Sequence, residues 1–143
     1  MCNPRRGMTL LELLIVLVVV SVLASLALPA FQGHVLRTHR VEATGALLGL
    51  SSAQERFYLQ HHRYATQAEL APAPPDGLGT SSTSGDGRYS IAIASADAAG
   101  FTATARAIGA QARDAACAVF SIDARGARSA TDRAGQEAPR CWR

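Results

Sequence analysis

Hydrophobic positions near the start of the chain form one long, unbroken run. Residues 13–28 carry no charge, and the nearest ionisable side chain is Glu12. An α-helix needs about 20 apolar residues to cross the hydrocarbon core of a membrane. The run therefore predicts a membrane-spanning helix over residues 8–31, with an apolar surface on all sides.

After this run, the pattern becomes that of an amphipathic helix. Apolar side chains recur at mostly three- and four-residue steps, which is the period of one helical face. Those positions are Phe31, Val35, Ala43, Ala46, Leu47, Leu50, Ala53 and Phe57. Polar residues lie between them and predict a solvated face: Arg37, His39, Arg40, Glu42, Glu55 and Arg56. Pro29 removes a backbone hydrogen bond and predicts a kink, but we expect the helix to continue to about His62.

The last part of the chain alternates as short strands do. Residues 71–87 are rich in Pro, Gly, Ser and Thr, which predicts a loop. Alternation then predicts strands at 89–93, 101–107 and 118–123, with a fourth, short strand at 127–131. We expect an α+β fold in which a small antiparallel sheet of three or four strands packs on the second half of the helix.

Composition narrows the class of protein. A chain of 143 residues with 48% apolar and 17% charged residues fits one domain and excludes a disordered protein. A single long apolar run excludes a protein with several membrane spans. The net charge of +3 is too small to name nucleic acid as a partner. No catalytic, phosphate-binding or metal-binding motif is recognisable, so we predict no enzyme activity, cofactor or metal.

Two interpretations compete for the N-terminus. A conventional signal peptide would be cleaved after the apolar run and release a soluble exported protein. Alternatively, cleavage after Gly7 leaves the run in the mature protein. Inserting a carboxylate into a membrane helix costs about 2.5–3.5 kcal/mol. In a signal peptide that is discarded, Glu12 would offer nothing that offsets this cost. Cleavage after Gly7 would place a new α-amine on Met8, one turn from Glu12, where the two charges can neutralise each other. We therefore favour the retained helix.

Residues 7–12, Gly-Met-Thr-Leu-Leu-Glu, resemble the class III signal of type IV pilins and pseudopilins. The resemblance implies that an inner-membrane prepilin peptidase cuts between Gly7 and Met8 and that Met8 is N-methylated. Met8 stands where the family usually has Phe. The resemblance also implies that Glu12 pairs with the N-terminal amine of an adjacent subunit during filament assembly.

The resemblance implies the type IV pilin fold, with three parts. These are a cleaved leader at 1–7, a transmembrane and filament-core segment at 8–31, and a globular domain at 32–143. Before assembly the protein would cross the inner membrane once, with its globular domain in the periplasm, and afterwards it would lie in the extracellular pilus. The implied partners are other pilin subunits, through the helix, together with the prepilin peptidase and the inner-membrane assembly machinery.

The Arg-Tyr-Ala-Thr run at 63–66 resembles the minor pilins of the PilE type. The resemblance implies a structural subunit that primes or joins a type IV pilus used for adhesion, twitching motility or DNA uptake. A major pilin and a type II secretion pseudopilin remain alternatives.

The cysteines suit an exported domain. Cys2 would leave with the leader, so Cys117 and Cys141 remain as a pair. In an oxidising compartment such a pair is expected to form a disulfide, and closing this loop would contribute roughly 3.5 kcal/mol. A bridge from 117 to 141 resembles the C-terminal disulfide-bounded region of type IV pilins, and the Cys-Trp ending is common in the PilE-type minor pilins.

Arginines and an aromatic residue are concentrated in this last region. They are Arg125, Arg128, Arg133, Arg140, Trp142 and Arg143. We favour a solvated rim that meets neighbouring subunits. The alternative is contact with nucleic acid, by phosphate binding and base stacking, since certain minor pilins serve as DNA receptors for natural transformation.

Overall fold

The computed structural model describes residues 8–142, without the side chains of residues 28–30. Gly7, Arg143 and the side chain of Pro29 therefore lie outside the described residues, and the kink at Pro29 stays a prediction. Helix α1 covers Leu10–His61, so it ends within a residue of the predicted position. The chain divides into two compact units, Met1–Val35 and Leu36–Arg143, which are taken in turn.

In the first unit, the described side chains of α1 are exposed, apart from the partly buried Val35. Leu10 is 82% exposed and Val22 is 55% exposed. The two serines in this part return their hydroxyl groups to the helix, since Ser21 donates to the carbonyl of Val18 and Ser25 to that of Val22, at 2.8 and 2.7 Å. Among the described residues, α1 is the one helix long and apolar enough to cross a membrane, with a mean hydropathy of 2.8 over its most apolar stretch.

In the second unit, the rest of α1 packs on a four-stranded sheet. The strands are β1 (Tyr89–Ala96), β2 (Phe101–Ala107), β3 (Val119–Asp123) and β4 (Arg128–Thr131). Each pairs antiparallel with the next, in the order β1-β2-β3-β4. The α+β fold predicted from the sequence is confirmed, with four strands.

One hydrophobic core joins the helix to the sheet. The helix contributes a face of three- and four-residue steps, as the periodicity predicts: Ala43, Leu47, Leu50, Ala53 and Phe57. Buried residues alternate along the strands, apart from the end of β1, and include Tyr89, Ile91, Phe120 and Ile122. Short 3₁₀ helices at Gln67–Glu69, Gly109–Arg113 and Pro139–Trp142 complete the unit, and no sequence pattern had indicated them.

Two predictions about the helix surface were wrong. Arg40 and Glu42 are not on a solvated face. The guanidinium of Arg40 forms a two-pronged ion pair with Asp114, at 2.7 and 2.9 Å, and Glu42 binds Arg88 at 2.8 Å. Phe31, placed on the apolar face by its spacing, is 66% exposed. Helical period alone could not reveal the ion pairs, since both partners come from distant parts of the chain.

The chain itself covers both edges of the sheet. Along β1, the backbone N–H of Ile91 donates to the carbonyl of Ser82 at 2.8 Å. Along β4, the N–H of Ala138 donates to the carbonyl of Ala130 at 2.8 Å, and the indole Nε1 of Trp142 donates to the carbonyl of Ser129 at 2.6 Å. These contacts use backbone groups that an open edge would leave to another strand.

Candidate nucleic-acid interface

The start of the helix carries the residues predicted to act in processing and assembly. The hydroxyl of Thr9 accepts a hydrogen bond from the backbone N–H of Glu12 at 3.2 Å, which caps the first turn. The carboxylate of Glu12 is exposed and has no hydrogen-bond or ion-pair partner among the described residues. Met8 is 65% exposed. Since Gly7 lies outside those residues, cleavage and methylation stay predictions.

The disulfide-bounded region is held closed as predicted. A disulfide joins Cys117, just before β3, to Cys141 in the last 3₁₀ helix, across a sequence separation of 24. Both cysteines are buried in the core of the second unit. The bridge therefore fixes the C-terminal segment against the start of β3.

Trp142 packs against this unit. Its ring meets that of Phe120 edge-on, with centroids 6.0 Å apart, and its indole N–H binds the carbonyl of Ser129. The guanidinium carbon of Arg128 lies over the indole, 5.5 Å from the ring centroid. One ring face and the only indole donor are thus already used, which gives Trp142 a packing role. Arg128, which is exposed, lies above it.

Arg125 and Arg128, the turn arginines, lie at the β3–β4 turn. Arg125 forms an exposed ion pair with Asp123 at 3.3 Å. The same carboxylate accepts backbone N–H groups of Ala127 and Arg125, at 2.8 and 2.9 Å. These bonds, first that from Ala127, lower the pKa of Asp123. Asp123 therefore stays ionised and partly offsets the charge of Arg125.

Arg106 and Arg133, the groove arginines, lie at the opposite end of β3 and β4. Both line one open groove on the second unit. Arg133 is tied to the segment before β3, because its backbone N–H donates to the carbonyl of Ala115 at 2.8 Å and its guanidinium donates to the carbonyl of Ala112. Arg106 is exposed on the outer face of β2 and forms no ion pair or hydrogen bond within residues 8–142.

The structure thus separates arginines that the sequence placed in one group. Strand β4 begins at Arg128 and ends two residues before Arg133, and extended chain rises about 3.3 Å per residue, so the backbones of these two arginines are on the order of 15 Å apart. Arg140 is exposed and belongs to neither pair. Arg143 lies outside the described residues.

Arg106 is the residue that reasoning from sequence missed. Arg106 lies in the strand predicted at 101–107, and alternation along one strand does not show which residues stand beside it on the neighbouring strands. Only the strand register shows that its cross-strand neighbours are Ser90 and Val119, neither of which is charged.

A buried polar cluster positions the segment that holds Arg133. Gln111, 2% exposed, donates from Nε2 to the carbonyl of Leu36 and to the hydroxyl of Tyr89, both at 3.0 Å. Its Oε1 lies 3.2 Å from Nδ1 of His39, which must be the donor. Burial raises the pKa of Tyr89 to about 12, so its hydroxyl stays protonated. Together with the Arg40–Asp114 pair, the cluster fixes residues 109–114 on α1.

Comparison with known families settles the class of protein. Residues 29–121 match the family described as type IV minor pilin ComP, DNA uptake sequence receptor. The chain belongs to this family. Residues 2–28 match the prokaryotic N-terminal methylation motif, which covers the Gly7–Glu12 signal of this minor pilin.

Curated relatives agree with this assignment. The chain is similar to the type IV major pilin protein PilE1 of Neisseria gonorrhoeae, with 39% identity over 75 residues, covering 50% of this chain and 46% of the relative. It is 40% identical to the type IV major pilin protein PilA of Myxococcus xanthus over 77 residues, covering 52% of this chain and 35% of the relative. It is 36% identical to the type II secretion system core protein G of Escherichia coli over 64 residues, covering 45% and 44%. The chain thus spans less than half the length of these relatives, and none of them is named as an enzyme.

Proposed function

We propose that this minor pilin is held in the inner membrane by the first half of α1, with its second unit in the periplasm. Prepilin peptidase cuts between Gly7 and Met8 and the new N-terminus is methylated. Subunits then join a type IV pilus through the same helix surface. The observation that carries this proposal is the exposed apolar part of α1, which has no partner among the described residues of its own chain. Its capped first turn carries the unpaired carboxylate of Glu12.

The role of Glu12 follows from its surroundings. An ionised carboxylate among apolar side chains needs a positive partner. The α-amine of a neighbouring subunit, created by cleavage at Met8, would supply one. In this proposal Glu12 keeps each incoming subunit in register.

DNA binding is the second part of the proposal. It rests on the family's description as a DNA uptake sequence receptor and on the two separated arginine pairs. These arginines are exposed cations, and exposed cations can bind backbone phosphates whatever the sequence of the DNA. A type II secretion pseudopilin is less well supported, because the minor pilin match extends over residues 29–121, well beyond the N-terminal helix.

Mass spectrometry of the protein from membranes and from sheared surface filaments tests processing and assembly. We expect a chain that begins at Met8, carries one added methyl group and lacks two hydrogens because of the disulfide. Its presence in surface filaments would separate the pilus from a secretion apparatus. A soluble chain that begins near residue 28 would overturn the proposal.

Binding of the full chain, in neutral detergent, to labelled duplex DNA tests the second part. We expect binding that weakens steeply with salt, as phosphate contacts require. Two duplexes of unrelated sequence give the non-specific component, and a library of genomic fragments shows whether one sequence is preferred. Absence of binding at low salt would remove DNA from the proposal and leave the pilus role untouched.

A further inference from the structure

We infer that the groove between Arg106 and Arg133 is a phosphate-binding site that takes one backbone phosphate of DNA. This inference rests on the proposed DNA binding and deepens it. It names the groove arginines, rather than Trp142 and the turn arginines, as the place where the backbone is held.

The charge balance of the groove supports an anion. Arg106 has no ion pair or hydrogen bond in the described part of the chain, and its cross-strand neighbours are uncharged. By contrast, Arg125 already faces Asp123, and Arg128 lies over the indole of Trp142. Neither groove arginine forms an ion pair among the described residues, so two positive charges in the groove face the single negative charge of Asp132.

The groove is also preorganised on one side. Arg133 is held at its backbone and at its guanidinium by the carbonyls of Ala115 and Ala112, which precede β3. A guanidinium has five N–H donors, so the bond to Ala112 leaves others for a ligand. Thr131, the last residue of β4, lines the same groove and carries a hydroxyl group. Holding the cation in place before binding lowers the entropy cost of binding.

One acidic residue in the groove disfavours the binding of an anion. Asp132 lines the groove, and its carboxylate accepts the backbone N–H of Gln136 at 2.9 Å, which closes a turn. That bond uses one oxygen and leaves the charge in place. The carboxylate must therefore weaken anion binding, and its removal gives a test of opposite sign to the removal of an arginine.

The first experiment measures DNA binding by the full chain in neutral detergent over a range of salt. We expect Arg106→Gln and Arg133→Gln each to weaken binding by about three- to tenfold and to lower the salt slope by about 0.9. If both arginines share one phosphate, the double variant should lose little more than either single variant. Asp132→Asn should tighten binding a few-fold. Arg56→Gln, which removes an exposed arginine on α1 that lines a different pocket, is the matched control and should change nothing.

Several results would overturn the inference. Unchanged binding in both arginine variants would do so, as would additive losses with a slope lowered by about two, which indicate two separate phosphates. A loss confined to one DNA sequence would indicate a base contact instead. Arg106→Gln is the decisive variant, since Arg106 makes no hydrogen bond or ion pair with another described residue whose loss would disturb the fold.

A second experiment tests the phosphate site independently of the proposed DNA binding. Inorganic phosphate is titrated into the full chain while the side-chain Nε–H signals of Arg106 and Arg133 are followed by NMR. We expect both signals to shift while that of Arg56 does not. Shifts without any DNA binding would keep the phosphate site and remove the DNA role, whereas shifts with phosphatidylglycerol vesicles and not with DNA would overturn the assignment to DNA. Absence of any shift would overturn the site.

Discussion

Both parts of α1 carry large apolar side chains, but in opposite surroundings. In the first unit, side chains such as Leu17 remain 61% exposed, whereas Leu47 and Leu50 in the second unit are completely buried. The difference lies in the rest of the chain, which supplies a sheet to the second unit and, within the described residues, nothing to the first. An apolar surface of that length must be covered from outside, by lipid or by other subunits.

Two matched substitutions, one in each part of α1, test this difference in surroundings with the largest expected effect. Leu47→Ala opens a cavity in the core and should lower the free energy of unfolding of the second unit by about 3 kcal/mol. Leu17→Ala should change it by less than about 0.5 kcal/mol. Denaturant unfolding in detergent, followed by near-ultraviolet circular dichroism, gives both values. Equal effects would mean that the first part of the helix has a partner in its own chain.

The disulfide gives the next largest effect. Replacing Cys117 and Cys141 together by Ser should cost about 3 kcal/mol, since the closed loop restricts the unfolded chain. Hydrogen exchange should show lost protection for the buried helix positions 43–57 and unchanged exchange for 10–27. Reduction of the wild-type bridge by a thiol should reproduce the result. A loss of protection throughout α1 would argue against two separate surroundings.

The ion pair between Arg40 of α1 and Asp114 gives the third largest expected effect. Asp114→Asn removes the charge that faces Arg40, whose side chain is 18% exposed, and should destabilise the second unit by about 2 kcal/mol. Asp76→Asn, an exposed loop residue in no ion pair among the described residues, serves as the control. Thermal unfolding of the two variants under the same conditions compares them. If the two midpoints coincide, Arg40 does not depend on Asp114.

The smallest effect concerns the end of the helix. Hydrogen bonds from Arg63, above all, lower the pKa of Glu69 from 4.5 to about 2. The folded state therefore favours the ionised form, and this contribution is complete above about pH 4.5 and is lost as the pH falls toward 2. Because the pair is partly exposed, Glu69→Gln should cost only about 1 kcal/mol at neutral pH.

The same variant should flatten the dependence of stability on pH below pH 4.5. Glu137→Gln, which removes an exposed carboxylate in no ion pair among the described residues, should leave that dependence unchanged. Urea unfolding at a series of pH values makes the comparison. An unchanged profile for Glu69→Gln would show that its carboxylate is not held by Arg63.

The sequence predicted correctly the features that depend on the local spacing of apolar residues. Helical spacing identified the buried positions from Ala43 to Phe57, and alternation placed all four strands within a few residues of their ends. The disulfide could be predicted because removal of the leader takes Cys2 away and leaves Cys117 and Cys141 as a pair. All of these features depend on residues close in sequence or on the chemistry of a compartment.

The groove and the polar cluster could not be obtained in the same way. The solvated face assigned to Arg40 and Glu42 was wrong because their partners, Asp114 and Arg88, are far away in sequence. Arg106 became a candidate only once strand register showed uncharged neighbours. Similarly, base stacking by Trp142 was an alternative to the favoured solvated rim, and only its contacts with Phe120 and Ser129 show how its ring is used.

The covered edges of the sheet matter for how such a protein can be stored. A membrane crowded with identical subunits brings their globular units into frequent collision, and open strands would let them fuse into fibres of the wrong kind. Here residues 82–83 protect β1 and residues 137–142 protect β4. These segments leave less of each sheet edge open to a strand of another subunit. In the proposed assembly, polymerisation would therefore use the helical stem and would depend on the machinery that draws this stem out of the lipid.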